Sequence, residues 1–490
     1  MNVLGRLIDI LDFSGRRDVL CLRRRFDALR AGRDSMQRSW QEQDVQRFLG
    51  KEAPRYTSYP SAHHFGAMPA AAYETALQSL QPHQSLGLYL HVPFCEQMCY
   101  FCGCNTHITK RYSPVSAYVE SLVREIHMVG GLLAFRPKVH SIHFGGGSPG
   151  ILSPEDMAEV FNALMSNFSI GSGAEISIEL DPRRITLPKV QSYVAMGFNR
   201  VSLGVQDTNP AVQRAINRVQ PIELIKESVD LLRSYGLKSI GMDLIYGLPL
   251  QTLESLAVTL AEVRRLEPTR ISAFSYAHVP WMKKHQTLID RDTLPTTQDK
   301  AEFFMLFDQT LQEQGYRAIG IDHFAFPDDG LSKALDNHTL RRNFMGYTDQ
   351  PNDRLLAFGA SAISELDGGI FQNIPQSTTY QNTINKAKFA TNRGWLFSGE
   401  DQLRKAIIAE LMCYFEIDIG NILIDHELPF GYLDGELAQL GEFSSAGVVT
   451  VRNRKVVFHS PLRMLVRSVA SVFDPHAADT TDDHRYSKVA

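Results

Sequence analysis

Residues Leu88 to Asn105 read LYLHVPFCEQMCYFCGCN. A short apolar run ends at Pro93, and Cys95, Cys99 and Cys102 follow at spacing C-x3-C-x2-C. Three thiolates on one loop can hold a four-iron cubane and leave one iron without a protein ligand, and that open iron is a place for chemistry. The spacing fits a tetrahedral zinc site poorly, because no histidine or fourth cysteine lies at finger distance. Cys104 stands only two residues beyond Cys102, where joint ligation is strained, so it reads as a neighbour of the site.

Outward from this loop, short apolar runs alternate with amphipathic segments. The runs are GLYLHVP, VHSIHFGGG, EISIELDP, RVSLGVQD, SIGMDLIYGLP and RISAFSYA. Most are apolar on both faces, as buried parallel strands are. Between them, Ile222, Ile225, Val229 and Leu232 recur at helical spacing, with Pro221 near the start and Gly236 past the end. The stripe Phe303, Phe304, Phe307 and Leu311, closed by Gly315, reads as core rather than as a cofactor box. Six βα units predict an α/β fold: a partial or near-complete parallel (β/α) barrel of six strands, or seven if RAIGIDHFA joins. Chemistry in such folds sits at the carboxyl ends of the strands. The cysteine loop, Gly145–Gly147, Glu179, Gln206 and Asp243 mark five consecutive strand ends.

After Phe326 the alternation stops. DQLRKAIIAELMCYF reads as a helix, VVTVRNRKVVFHS as a hairpin turning at Asn453-Arg454, and Ser460-Pro461 as the cap of another helix. Helices with a small hairpin resemble a winged helix, but without a basic stripe a packing or substrate-covering role fits better. The division that follows is an N-terminal extension over 1–50 with a composition open to disorder, an arm over 51–84 that covers the active site, a catalytic barrel over 85–327, and a mostly helical C-terminal substrate-covering domain with a β-hairpin over 328–490.

Bulk properties narrow the class. With 44% hydrophobic residues there is material for a large core, and a net charge of -4 offers no footprint for nucleic acid or an anionic membrane. No apolar run approaches the roughly 18 residues of a membrane span. Six cysteines, four of them within ten residues, make no disulfide framework and indicate a reducing, cytoplasmic setting. The first 35 residues hold Arg23, Arg24 and Arg25 but also five aspartates, which argues against a transit peptide. Met36 is a candidate second start, which makes Met1–Ser35 a dispensable extension.

The turn Gly145–Gly150 (GGGSPG) formally matches a dinucleotide fingerprint. It follows the second strand, contains Pro149, and has Glu179 further away than the roughly 20 residues that pattern wants. It reads instead as a turn whose bare backbone approaches a ligand. His63, His64, His143 and His323 lack partners at metal spacing and read as structural. Glu179 and Asp243 are carboxylates at the ends of buried strands, which need partners.

APRYTSYP near Ala53, LYLHVPFCEQMCYFCGCN, HFGGGSP, ISIELDPR, VSLGVQD, DLIYGLP, IGIDHFA and PDD together resemble the oxygen-independent coproporphyrinogen III oxidase (dehydrogenase) family of the radical S-adenosylmethionine superfamily. The resemblance runs from about Ala53 to the closing RYSKVA. It implies one [4Fe-4S] cluster on Cys95, Cys99 and Cys102, with one S-adenosylmethionine on the open iron near Tyr89, Gly146 and Glu179. It implies a second S-adenosylmethionine near Phe101, Gly147, Ser148, Gln206, Arg218, Asp243, Ala277 and Ile363. The implied reaction turns two propionates of coproporphyrinogen III into vinyl groups, giving protoporphyrinogen IX in haem biosynthesis, through a 5′-deoxyadenosyl radical. A flavodoxin- or ferredoxin-like donor supplies the electron, and the implied enzyme is a monomer. Arg55 and Tyr56 are candidate substrate contacts, since the substrate has four carboxylates. Alternatives of other classes are a haem-binding chaperone of the same superfamily, against which Cys104 and the APRYTSYP arm argue, and a paralogous radical enzyme acting on another porphyrin. Four positions depart from the family pattern: Gly150, Phe326, Arg341 and Met345.

Overall fold

The computed structural model describes residues 47–352, 354–477 and 488–489. Met1–Ser35, Met36 and most of the closing RYSKVA lie outside the described residues. β1 (Ser85–Val92) buries all eight of its residues, as a strand covered on both faces must. β2 (Lys138–Gly146), β3 (Ser169–Leu180), β4 (Arg200–Gln206), β5 (Ser239–Tyr246) and β6 (Arg270–Ser275) follow in spatial order, all parallel. The connecting helices are α1 (Ser113–Leu132), α2 (Pro154–Asn167), α3 (Leu187–Ala195), α4 (Ile222–Ser234), α5 (Leu253–Arg265) and α6 (Thr297–Glu313).

Local signals set the helix ends. Ser153 Oγ accepts from Asp156 N–H at the start of α2, and capping boxes at Thr252/Ser255 and Thr296/Asp299 open α5 and α6. The apolar stripe of α4 buries Ile225, Val229 and Leu232, and Gly236 at φ +89° follows its end. Phe303, Phe304, Phe307 and Leu311 are core residues of α6.

RAIGIDHFA is not a seventh parallel strand. Gly320, at φ +54°, turns the chain back after three residues, so the run splits into β7 (Arg317–Ile319) and β8 (His323–Ala325), antiparallel to each other, with β8 antiparallel to β6. The seventh parallel strand is β9 (Arg354–Phe358), which pairs with β1 on its other side. Strand–helix alternation ends near Phe326, but the sheet does not. β10 (Ile363–Leu366), β11 (Gly369–Asn373) and β12 (Thr391–Leu396) extend it antiparallel, and Gly66–Ala67 adds a last short edge. The thirteen strands form one mostly parallel-centred sheet whose two ends are not paired with each other among the described residues.

Beyond it, α7 (Ser377–Ile384) packs near α1, and α8 (Gly399–Tyr414) leads into a three-stranded sheet of β13 (Glu416–Asp418), β14 (Val449–Arg452) and β15 (Lys455–Phe458). Asn453 and Arg454 both have positive φ, as a two-residue type I′ hairpin turn demands. At Ser460 the chain forms a turn, with Oγ accepting from Leu462 N–H, before the short 3-10 stretch Arg463–Leu465.

One buried carboxylate ties the parallel and antiparallel halves together. Glu125, on the inner face of α1, accepts from Gly359 N–H (2.7 Å), Tyr380 Oη (2.6 Å) and Asn373 Nδ2 (2.6 Å). Burial pushes its carboxyl up to about 7, against the pull of those three donors. Replacing Glu125 by Ala strands three buried donors at once. The expected cost is about 3–5 kcal/mol, read as a lowered denaturant midpoint. A change within about 0.5 kcal/mol would contradict the assignment of Glu125 as the tie.

Candidate active site

The cysteine loop is gripped from several sides. Asn217 Nδ2 donates to Met98 O (2.8 Å), Tyr100 N–H to Ile216 O (3.0 Å) and Cys102 N–H to Cys99 O (3.1 Å). Further along, His107 N–H returns to Pro93 O and Thr109 N–H to Cys95 O. The thiols have polar neighbours: Thr106 Oγ1 lies 3.3 Å from Cys95 Sγ, and Arg218 Nη1 lies 3.5 Å from Cys99 Sγ. Cys99 is buried, Cys95 and Cys102 are half-buried, and Cys104 is exposed.

The glycine turn after β2 presses against this loop. Gly147 N–H donates to Val92 O and Ser148 N–H to Phe94 O. A Cβ on Gly147 would fall 2.7 Å from Phe94 O. Gly146 has φ +115°, and a Cβ there would fall 2.7 Å from the His91 ring. His91 is held by Tyr89 Oη on Nδ1 and by Asn105 O on Nε2, and burial lowers its pKa.

A cavity of about 420 Å³ opens at the carboxyl ends of the strands. Its wall includes Cys95, Cys99, Phe101, Cys102, Gly146, Gly147, Ser148, Glu179, Gln206, Arg218, Asp243 and Ala277, together with Arg55 from the arm. Thirteen positions singled out from sequence therefore meet at one void. Three others do not line it. Tyr89 lies buried beneath, Tyr56 turns its hydroxyl to Asp474 (3.1 Å), and Ile363 sits on β10 opposite Gln372.

Charges on this wall are arranged, not scattered. Glu179 accepts from His143 Nε2 (3.2 Å) and Gly146 N–H (3.2 Å). Burial works to raise its carboxyl, but His143 and the Gly146 N–H outweigh it and leave the pKa below the usual value. His143 is fixed in turn by Ser177 Oγ (2.8 Å). Asp243 lies three residues before the end of β5, where Ser202 Oγ donates to it (3.0 Å). Burial, and then the Glu179 charge, push its carboxyl up to about 6. At β4 the register shifts between Gly204 and Gln206, and Gln206 takes φ +68°, a bulge that re-aims its side chain at the cavity.

Asp181 is the residue that sequence reasoning missed. It accepts from Arg183 Nε (2.9 Å) and Arg218 Nη1 (3.3 Å), while Arg218 Nη2 donates to Gly204 O (2.6 Å). The signal was a second acid two residues after Glu179, in ELDPR. Arg55 lies on the cavity wall, and its Nη2 reaches Ser275 O (3.1 Å). Crowding by protein lowers its pKa, against the pull of Asp322. Arg467, which also donates to Pro54 O, and Arg342, which donates to Tyr56 O, clamp the backbone beside it.

These residues fit a cubane and a zwitterionic ligand. Among the described residues no three His, Cys, Asp or Glu side chains converge as ligands of a single ion. A cubane does not ask for that, since each thiolate binds a different iron. Ser148 Oγ and Arg218 Nε are buried on the wall and find no partner among the described residues, so two polar atoms await a ligand. The departures from the family pattern mostly lie away from the void. Phe326 stacks on Tyr316 (4.2 Å) by the amino end of β6, and Arg341 donates to Asn352 O. Gly150 packs against Leu180, while Met345 clusters with Phe344 and Tyr89 near the cavity floor.

The radical SAM superfamily model matches residues 89–263. An oxygen-independent coproporphyrinogen III oxidase of Bradyrhizobium diazoefficiens is 43% identical over 424 residues, covering 86% of this chain and 94% of the relative. A namesake from Pseudomonas aeruginosa is 37% identical, covering 91% and 98%. Among solved structures, the Escherichia coli coproporphyrinogen III oxidase, described as a radical SAM enzyme, superposes with TM-score 0.82 at 37% identity, covering 87% of this chain and all of that one.

Proposed function

This chain belongs to the oxygen-independent coproporphyrinogen III oxidases of the radical SAM superfamily, and we propose that it decarboxylates two propionates of coproporphyrinogen III to vinyl groups. Membership implies a [4Fe-4S] cluster and S-adenosylmethionine. When bound, they supply the one-electron chemistry that takes hydrogen from a substrate carbon. The observation that bears most of this reading is that the three thiols and Arg55, a cation brought by the arm, face the same cavity.

In this reading Cys95, Cys99 and Cys102 are the cluster ligands, and Cys104 stays free. Glu179, ionised and held by His143, accepts the ammonium group of S-adenosylmethionine beside the bare backbone of Gly146. Arg218 is already tied to Asp181, and its open Nε takes a carboxylate. Asp243 and Gln206 address hydroxyl and base groups of a second S-adenosylmethionine, with Phe101, Gly147, Ser148 and Ala277 around it. Tyr89 supports the floor through His91. Ile363 and Tyr56 act through neighbouring backbone, as neither lines the void.

Around Arg55 lie Lys300, Arg342 and Arg467, with Asp322 as the nearby anion. Burial, then Arg55, lower Lys300 to about 8, while it donates to Tyr276 O. Burial works against the Asp322 charge, yet His323 and Arg342 hold its carboxyl at about 2. An excess of cations at the cavity wall and just behind it suits a substrate with four carboxylates. The chain acts as a monomer in a reducing cytoplasm and draws its electron from a small flavodoxin- or ferredoxin-like protein. Among the described residues no helix is long and apolar enough to cross a membrane. The extension Met1–Ser35 is dispensable for the reaction, residues 51–84 and 328–490 cover the site, and 85–327 hold the cofactors.

Two results are expected. The reconstituted protein, given S-adenosylmethionine, a reductant and coproporphyrinogen III without oxygen, releases two carbon dioxide units per product, followed by mass. Arg55→Ala raises KM about 10–100-fold while retaining cluster iron. Deoxyadenosine without decarboxylation would reject the substrate, and an unchanged KM would reject the role of Arg55. For Asp243, the ionised carboxylate accepts from hydroxyls on both oxygens and more strongly than the neutral acid. Affinity for S-adenosylmethionine therefore falls as pH drops through about 6, by up to about tenfold per unit. Asp243→Asn binds weakly at every pH. Flat wild-type affinity between pH 5 and 7 would contradict this.

A further inference from the structure

After β6 the chain forms a thin wall between the cavity and solvent. On the inner side Ala277, Val279 and Gln286 line the void. Gln286, almost fully buried, donates to Phe101 O (3.1 Å) and accepts from Val279 N–H (2.6 Å). Two side chains of this wall grip the cysteine loop itself. Lys283 Nζ donates to Cys104 O (3.0 Å), and His285 Nε2 lies 2.7 Å from Cys102 O.

The outer side is unusual. Trp281 is 56% exposed, Met282 53% and Leu288 60%. Single exposed apolar residues need no explanation, but three large ones within eight residues do. Leu250, 47% exposed, is tied to the same surface by its N–H on Thr293 O. From His278 to Ile289 the segment holds Lys283 and Lys284 and no carboxylate, and exposed Asp290, Arg291 and Asp292 follow it. Apolar anchors of the Trp and Met type, with a charged rim, are the composition of a protein interface.

We propose that the wall His278–Ile289 is the docking surface for the one-electron donor, a small protein with an acidic face around its redox group. This rests on the cluster site proposed above. The wall touches the cysteine loop from outside the cavity, so substrate and donor do not compete for one opening. Lys284 supplies charge complementarity, which steers encounter and makes it salt-dependent. Trp281, Met282 and Leu288 supply the small apolar contact of a transient complex. Lys283 and His285 connect the surface to the carbonyls of Cys104 and Cys102, so a docked partner bears directly on the loop that holds the thiols.

The test compares a protein donor with a chemical one. The full chain and the double variant Trp281→Ser/Lys284→Glu are loaded with cluster. Binding of flavodoxin and of a [2Fe-2S] ferredoxin is measured by calorimetry at low and high salt. Cluster reduction by each is followed by stopped flow, and turnover is driven separately by dithionite. The wild type binds at least one donor, more weakly at high salt. The variant loses about tenfold or more in affinity and in reduction rate with that donor, while iron content and dithionite-driven turnover stay within about twofold of the wild type. Equal binding and reduction in the variant would overturn the proposal. So would a parallel fall in dithionite-driven turnover, which would make the wall part of the substrate site, or a wild type that binds neither donor. A wild type that takes up no iron would overturn the cluster site as well, so the two failures are told apart.

Discussion

The backbone contact between the glycine turn and the cysteine loop is the constraint on which the site depends. Gly147 and Ser148 donate to Val92 and Phe94, continuing the β1–β2 pairing past the strand ends. The three thiols are then presented by a loop whose root is part of the sheet. A side chain at Gly147 would collide with Phe94 O, and one at Gly146 with His91. The turn is therefore a spacer of minimum thickness. It sets how near β2 and β3, with Glu179, come to the thiols.

Around that contact the wall divides its charge. On one side the carboxylate of Glu179 is kept ionised by His143 and a backbone N–H. On the other, Arg218 is shared between Asp181, Gly204 O and a cysteine sulfur. A ligand carrying both an ammonium and a carboxylate meets an opposite partner at each end. Asp243, pushed up to about 6 by burial and by Glu179, is a carboxylate of this wall whose charge is in play near neutral pH. The cations around Arg55 come from the arm, α6 and the C-terminal segments, so closing the cavity and charging it are the same act of folding.

Much of this was legible in the chain. Parallel strands buried on both faces leave continuous apolar runs, and strand ends in such folds expose the polar residue that follows. Cys95, Glu179 and Gln206 could be read that way. Other features were not, for definable reasons. RAIGIDHFA is apolar enough for a buried strand, and only the αL turn at Gly320 makes it a hairpin. β9 is five residues long and pairs with a strand more than 260 residues earlier, a distance that local pattern does not encode. Asp181 is hidden in sequence behind Glu179, and its role exists only because Arg218 arrives from the loop after β4. The clamp of Arg342 and Arg467 on the arm joins three distant segments. Tyr89 and Ile363, matched by resemblance alone, do not line the void.

The central claim is a cluster with one iron open to S-adenosylmethionine. Electron paramagnetic resonance of the reduced, reconstituted protein tests it most directly, with and without S-adenosylmethionine labelled with 15N at its amino group. The account predicts a shifted spectrum and a resolved coupling to that nitrogen, present in Cys104→Ala and lost with the cluster in Cys99→Ala. An unchanged spectrum, with the label silent and the cluster dependent on Cys104, would mean four cysteine ligands and no open iron, and would contradict the account.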